Sequence, residues 1–142
     1  MGSLDQTSLR LHSASMNMRD DDQSAAAILR VRIVFGPEAM LGPGKADLLA
    51  LIGETGSIAA AGRRMGMSYK RAWMLVETMN AVFREPLVES VRVGTRGGGA
   101  HLTDMGETVL SHYRNVEKHA REAAASELDA LRAMVRDRSG GE

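Results

Sequence analysis

The stretch that decides the fold is SIAAAGRRMGMSYKRAWMLV, residues 57–76, which predicts two short helices joined by a tight turn. The first helix has small and apolar residues at helical spacing and leaves Arg63 and Arg64 on the opposite side. Gly66 ends this helix, because glycine adopts the backbone conformations of a sharp turn at little cost. Ser68 is a good N-cap for the second helix. This arrangement is typical of a helix-turn-helix, whose second helix enters the DNA major groove with its N-terminal end.

The second helix begins with Tyr69, Lys70 and Arg71, and the last two of these are cations. A cation in the first turn of a helix opposes the helix dipole, so an anionic partner explains these residues better than a structural role. Trp73 borders the predicted buried side of the helix. We therefore expect Trp73 to pack against the core rather than contact a base.

The residues after Pro86 change from helical to strand-like spacing. Residues 87–93 predict one strand and residues 100–103, AHLT, predict a return strand. Between them GTRGGG, residues 94–99, predicts a glycine loop with Arg96 at its tip. A strand, a glycine loop and a strand after a helix-turn-helix form a wing, which we expect to contact the DNA backbone or the minor groove.

Residues on the two helices and on the glycine loop are predicted to contact DNA. They are Ser57, Arg63, Arg64, Ser68, Tyr69, Lys70, Arg71, Arg96, Gly97 and Gly98. Structural alternatives stay open for several of them. Ser68 is equally well explained as a plain N-cap, Arg63 and Arg64 as a solvated face, and Arg96 as a mobile, unpaired side chain. The glycines are also explained by a tight hairpin alone.

Residues 28–35, ILRVRIVF, alternate apolar and charged side chains and predict a half-buried strand. Its inward-facing side chains are predicted to be Leu29, Val31, Ile33 and Phe35. Gly36 and Pro37 end this strand, and residues 45–52 predict a first helix. The resulting order, β-α-α-α-β-β-α, is that of a winged helix-turn-helix followed by a further helix.

A long C-terminal helix is predicted from a cap at Thr103 or Asp104 to about residue 136. Apolar and small side chains recur along it at steps of three and four, as at a coiled-coil seam, with a stutter near Ala124. We expect this seam to hold two copies of the chain together. Its residues are Val109, Tyr113, Val116, Ala120, Ala124, Leu128, Leu131 and Val135. The alternative is a solvated helix that contacts no partner.

Composition restricts the classes of function. The net charge of the 142 residues is zero, but residues 57–100 carry seven basic and three acidic side chains, so the middle of the chain is basic. The chain has no cysteine, and no apolar run approaches the ~20 residues that cross a bilayer, so we expect a cytoplasmic protein without membrane contact. His112 and His119 lie seven residues apart, too far along a helix to share an ion unaided. We expect no metal, no cofactor and no enzymatic activity.

Together these patterns predict a mainly α fold with a small β wing, namely a winged helix-turn-helix with a long C-terminal dimerisation helix. The predicted organisation is a disordered tail at residues 1–26, the winged helix-turn-helix domain at 27–103, the dimerisation helix at 104–137 and a disordered tail at 138–142.

Two motifs carry a resemblance to a known family: SYKRAWMLVETMN, residues 68–80, and TRGGGAHLTDMGE, residues 95–107. Together they resemble the N-terminal DNA-binding domain of the molybdate-responsive ModE-type regulators, which also begin a helix with a sequence like Gly56-Ser57-Ile58. The resemblance extends over about residues 29–122. The helix-turn-helix is more loosely similar to that of LysR-type activators.

The resemblance implies a dimeric winged-helix protein that binds double-stranded DNA with its second helix in the major groove. In that family β-rich oxyanion-binding modules commonly follow the DNA-binding domain, whereas this sequence continues only to Glu142. We therefore expect no molybdate site in this chain. The leading expectation is a transcriptional regulator acting as a homodimer. The alternatives are a winged-helix adaptor that contacts proteins, and an enzyme or small-ligand sensor with a pocket that the sequence does not reveal.

Overall fold

The computed structural model describes residues 27–92 and 98–136, which form four strands and five helices. In chain order these are β1 Ile33–Gly36, β2 Ala39–Leu41, α1 Pro43–Thr55, α2 Ile58–Arg64, α3 Tyr69–Val82, β3 Val88–Arg92, β4 Gly98–Leu102, α4 Asp104–Ala123 and α5 Ala125–Met134. The described residues divide into two units, one spanning Arg30–His119 and the other made of residues 27–29 and 120–136. The two predicted disordered tails, residues 1–26 and 138–142, fall outside the described residues.

The core of the unit Arg30–His119 is built by α1, α2 and α3, and the helical faces predicted from the sequence are confirmed. Helix α2 buries Ile58, Ala61 and Gly62, and α3 buries Ala72, Val76 and Met79. A Cβ atom added to Gly62 would lie 3.0 Å from the Cβ of Ala72, so glycine at this position lets the two helices approach closely. Gly66 has a φ of 74°, as the predicted turn between the helices requires.

The N-terminal strand differs from its prediction. Strand β1 begins only at Ile33 and pairs antiparallel with β2, a strand that the sequence did not predict. The register shifts between Val34 and Gly36, and such an irregularity turns neighbouring side chains to the same side of a strand. Phe35, predicted to face inward, is therefore exposed, and its ring meets the edge of Phe83 at a centroid distance of 5.9 Å.

The hairpin β3–β4 is attached to α3 through the amide side chain of Asn80. The register runs without interruption from Val88 opposite Leu102 to Arg92 opposite Gly98. Asn80 Oδ1 accepts hydrogen bonds from the backbone N–H groups of Leu87, at 2.7 Å, and Val88, at 3.2 Å. Its Nδ2 donates to the carbonyl of Val88 at 3.1 Å. One side chain of α3 thus sets where the hairpin begins.

Thr103, rather than Asp104, caps the N-terminal end of α4. Its hydroxyl accepts from the N–H of Gly106 at 2.9 Å and donates to the carbonyl of Pro86 at 2.7 Å. Its own N–H donates to the carbonyl of Leu87 at 2.9 Å. The start of α4 is therefore fixed to the segment that joins α3 to β3.

Tyr113, predicted on the dimer seam, lies instead in the core of its own unit and is 1% exposed. Its hydroxyl donates to the carbonyl of Val31, and burial raises the pKa of the phenol, which keeps it a donor. Next to it Arg114 forms ion pairs with Asp47, at 2.9 Å, and Glu117, at 3.1 Å. The prediction was wrong for Tyr113, because the backbone at Val31 covers this face of α4.

The C-terminal helix is two helices rather than the single helix predicted to continue to about residue 136. It breaks at Ala124, whose φ and ψ are −99° and 9°, and α5 ends at Met134. The break coincides with the stutter in the apolar spacing, which changes the local winding of a helix, while the N–H of Ala124 still donates to the carbonyl of Ala120 at 3.0 Å and that of Leu128 to the carbonyl of Ala124 at 2.8 Å. Within residues 27–92 and 98–136, no helix is both long enough and apolar enough to cross a membrane.

Removing the Asn80 amide should destabilise the protein. In Asn80→Ala the N–H groups of Leu87 and Val88 lose their acceptor, and we expect the free energy of unfolding to fall by about 2 kcal/mol in urea denaturation. Thr78→Ala is the matched control on the same helix, since its exposed hydroxyl bonds only the carbonyl of Met74, and it should stay within about 0.5 kcal/mol of wild type. Equal stability of the two variants would contradict the role given to Asn80.

Candidate nucleic-acid interface

The N-terminal end of α3 presents the residues that the sequence singled out. Ser68 is the N-cap, with its Oγ accepting from the N–H of Arg71 at 3.1 Å. Tyr69, Lys70 and Arg71 follow it and are all exposed. The first turn contains no acidic residue that would complement the helix dipole. This cationic turn is therefore accessible to a partner.

Helical geometry divides the surface of α3 into an outward face and two flanks. The outward face, opposite the buried residues, is formed by Lys70, Met74, Glu77 and Ala81, which are all exposed. Met74 is 51% exposed, and Trp73 beside it, expected to pack against the core, is 44% exposed. Sequence reasoning missed Met74 and Glu77, although their helical spacing relative to Lys70 placed them on this face.

A cleft of about 390 Å³ lies between the hairpin β3–β4 and the N-terminal ends of α2 and α3. Three of the predicted contact residues line it together, namely Ser57, Tyr69 and Gly98, and Arg92 of β3 lines it as well. Sequence reasoning did not select Arg92; its position at the end of a strand leading into the glycine loop was the signal. Predicted contact residues Arg96 and Gly97 lie outside the described residues.

The hairpin is held close to the start of α2, which fixes the width of this cleft. The N–H of Ala100 donates to the carbonyl of Gly56 at 2.9 Å. A Cβ atom on Gly99 would lie only 2.8 Å from the same carbonyl oxygen, so a larger residue would push the hairpin away from the start of α2. Ser57 follows directly, and its Oγ accepts from the N–H of Ala60 at 3.0 Å as the N-cap of α2.

Arg63 and Arg64 lie at the C-terminal end of α2 and do not line this cleft. Arg64 pairs with Glu54 at 3.2 Å, and both side chains are well exposed, so the pair contributes little stability. Cations in the last turn of a helix also complement the helix dipole. A purely structural role is therefore supported for Arg63 and Arg64, whereas the described part of the chain gives no such support for Lys70 and Arg71.

The predicted seam residues other than Tyr113 divide between half-buried and exposed positions. Val109 packs against the core of the unit Arg30–His119. Ala120, Ala124 and Leu128 are half-buried. Val116 is 40% exposed, Leu131 59% and Val135 58%. Leu131 follows Leu128 by three residues on α5, whereas Val135 lies just beyond the C-terminal end of α5 with an extended backbone.

No group of three His, Asp or Glu side chains within the described ranges is arranged to hold a metal ion. His101 lies across the hairpin from Glu89, with 3.6 Å between Nε2 and Oε1, as an exposed pair of side chains on neighbouring strands. The chemistry available at this surface is that of hydrogen-bond donors, cations, exposed apolar groups and the carboxylate of Glu77.

No protein-family model matches the chain. Three curated proteins illustrate its similarities. The molybdenum-pterin-binding protein MopB of Rhodobacter capsulatus is 41% identical over 98 residues, which are 69% of this chain and 35% of that protein. The molybdenum transport protein ModE of Azotobacter vinelandii is 39% identical over 67% of this chain and 34% of its own length. The transcriptional regulator ModE of Yersinia pestis is 44% identical over 50% of this chain and 27% of its own length.

The chain thus spans about a third of the length of the curated relatives it matches, or slightly less. Its relatives are ModE-type regulators and molybdenum-pterin-binding proteins, in agreement with the resemblance that the two motifs indicated. The similarity supports a DNA-binding kind of regulator.

Proposed function

We propose that this chain is a cytoplasmic transcriptional regulator of the ModE type that binds double-stranded DNA as a homodimer. In this proposal α2 and α3 are a helix-turn-helix, the hairpin β3–β4 is its wing, and α3 enters the major groove with its N-terminal end first. The observation that carries the proposal is the exposed cationic first turn of α3, which has no acidic residue beside it. Relatives from Yersinia pestis and Haemophilus influenzae are named transcriptional regulators.

The cations in the first turn of α3 lower the stability of the folded chain unless an anion binds next to them. Two positive charges at the N-terminal end of a helix are unfavourable by a few tenths of a kcal/mol each, up to about 1 kcal/mol. Neither Lys70 nor Arg71 forms an ion pair with any residue in the described part of the chain. A phosphate backbone supplies the missing charge, and base edges in the major groove supply acceptors for the same donors.

The faces of α3 suggest a division of roles. Lys70, Met74 and Glu77 on the outward face point away from the core and are the proposed readers of base edges, since Lys bonds guanine, Glu accepts from cytosine and apolar groups contact the thymine methyl. Tyr69 and Arg92 at the cleft beside the wing are proposed to contact phosphates. Arg96, Gly97 and Gly98 remain proposed wing contacts, and Ser57, Arg63, Arg64 and Ser68 proposed backbone contacts.

The alternative, a winged-helix adaptor for a protein partner, has one observation in its favour. Trp73 and Met74 are large apolar side chains exposed next to each other on α3. Such a pair serves a protein interface as well as it serves base contacts. The salt dependence of DNA binding distinguishes the two functions, because only the DNA-binding proposal requires it.

DNA binding should be strongly salt-dependent and should depend on Lys70. With about six phosphates neutralised by each protomer, log affinity against log salt should have a slope near −5 per protomer, measured by fluorescence anisotropy on a duplex selected from random sequences. Lys70→Ala should cost about 1–3 kcal/mol on that duplex and less on a scrambled one, because a base contact is lost.

Arg84→Ala is the matched control, since Arg84 lies beyond the C-terminal end of α3 and carries the same charge. It should leave both affinities close to wild type. Affinity indifferent to salt would count against DNA binding and leave the adaptor as the better proposal.

We propose that the dimer is held by the exposed and half-buried apolar side chains of α4, of α5 and of the residues that border α5, with Val109, Val116, Ala120, Ala124, Leu128, Leu131 and Val135 as its seam. The double variant Leu131→Glu with Val135→Glu should be monomeric in sedimentation at micromolar concentration, because each buried leucine or valine contributes ~1.5–3 kcal/mol. Asp129→Ala on the same helix is the control and should remain dimeric. A monomeric wild-type chain at that concentration would refute the seam.

We also propose that this chain alone does not bind molybdate tightly. Capture of an oxyanion needs converging N–H groups, hydroxyls or cations in an enclosed site. Along α4 the described cations are interleaved with glutamates, and Arg114 is already paired on both sides. Calorimetry with molybdate at physiological salt should give no micromolar, stoichiometric signal, and a signal of that kind would overturn the proposal.

A further inference from the structure

A second group of cations lies on the other flank of α3, away from the wing. A cleft of about 330 Å³ is lined there by three basic side chains, Arg32, Lys45 and Arg71. Its apolar lining includes Met40 of β2, Met67 of the turn and Leu75 of α3. Residues from the N-terminal hairpin, the start of α1 and α3 therefore converge on one positively charged surface.

Two of the three cations of this cleft, Arg32 and Lys45, are held by hydrogen bonds that do not neutralise their charges. Arg32 Nε donates to Sδ of Met40 at 3.0 Å, and Lys45 Nζ donates to the carbonyl of Met40 at 3.3 Å. Among the described residues none of the three basic side chains forms an ion pair, whereas Arg64 and Arg114 each do. Lys45 also stands in the first turn of α1, which has no acidic residue there.

Helical geometry places the two clefts on opposite sides of the first turn of α3. Tyr69 lines the cleft beside the wing and Arg71 lines the other. Residues two apart in an α-helix point about 200° away from each other around its axis. The major groove is about 12 Å wide and is bordered by a phosphate backbone on each side, so a helix within it has one backbone on each flank.

We propose that Arg32 and Lys45 bind phosphates of the DNA strand on the flank of α3 that faces away from the wing, and so form a second backbone clamp together with Arg71. The inference rests on the proposed function. It adds two residues to the interface, Arg32 just before β1 and Lys45 in α1. Both lie outside the helix-turn-helix and outside the wing. Backbone contacts of this kind fix the position of a protein on the duplex and carry no base preference of their own.

The test is the salt dependence of the double variant Arg32→Gln with Lys45→Gln in the full-length chain. Glutamine keeps a long polar side chain but removes the charge. On the selected duplex the slope of log affinity against log salt should become shallower by about 2 for each bound protomer. When salt is raised from about 50 to about 200 mM, both proteins lose affinity. The factor by which the variant loses affinity should be roughly ten times smaller, per protomer, than the factor for wild type.

Two controls keep the result specific. Arg84→Gln removes a charge of the same sign at the far end of α3 and should leave the slope unchanged. The exchange Arg32→Lys with Lys45→Arg retains both charges and should keep the wild-type slope. This variant distinguishes the effect of a lost charge from the effect of altered packing in the hairpin. In all variants the ratio of affinities for the selected and the scrambled duplex should stay within about twofold of wild type.

A wild-type slope in the double glutamine variant would overturn the proposal, and so would a loss of affinity confined to the selected sequence. Failure of the proposed function has a different signature, because wild-type protein itself would then show no salt-dependent binding to either duplex.

Discussion

The segment Pro86–Val88 is the constraint on which the proposed interface depends, because α3, β3 and α4 are all fixed to it. Asn80 of α3 bonds both N–H groups of Leu87 and Val88 and the carbonyl of Val88. Thr103 bonds the carbonyls of Pro86 and Leu87 while capping α4. A Cβ atom on Gly106 would collide with the carbonyl of Leu87, so α4 touches this backbone directly. The hairpin cannot move relative to α3 without breaking several of these contacts together.

This rigidity matters because the surface that it supports is electrostatically unfavourable in isolation. The structure places Lys70 and Arg71 at the positive end of a helix, and Arg32 and Lys45 beside Arg71, with no acidic partner for any of them among the described residues. Elsewhere in the same unit Arg114 has two acidic partners. Unpaired cations concentrated at one end of α3 are explained by a partner that carries a regular array of negative charge.

The zero net charge of the chain conceals this arrangement. The charge of the central segment was visible in the sequence, but the contribution of Arg32 and Lys45 was not, because these residues precede the basic segment. Only the fold brings the N-terminal hairpin and the start of α1 to the flank of α3.

The sequence by itself determined the helices α2 and α3, their buried faces, the turn at Gly66 and the presence of two strands after α3, although β4 begins at Gly98 within the predicted glycine loop. Local signals govern these features, namely helical periodicity, N-cap serines and a glycine turn. Only the tertiary structure decided that Tyr113 is buried in the core and that Phe35 is exposed. It also decided that Arg32, Lys45 and Arg71 line the same cleft. Those outcomes depend on contacts between distant segments, such as Tyr113 with Val31, and a one-dimensional pattern does not say which of two apolar faces another part of the chain will cover.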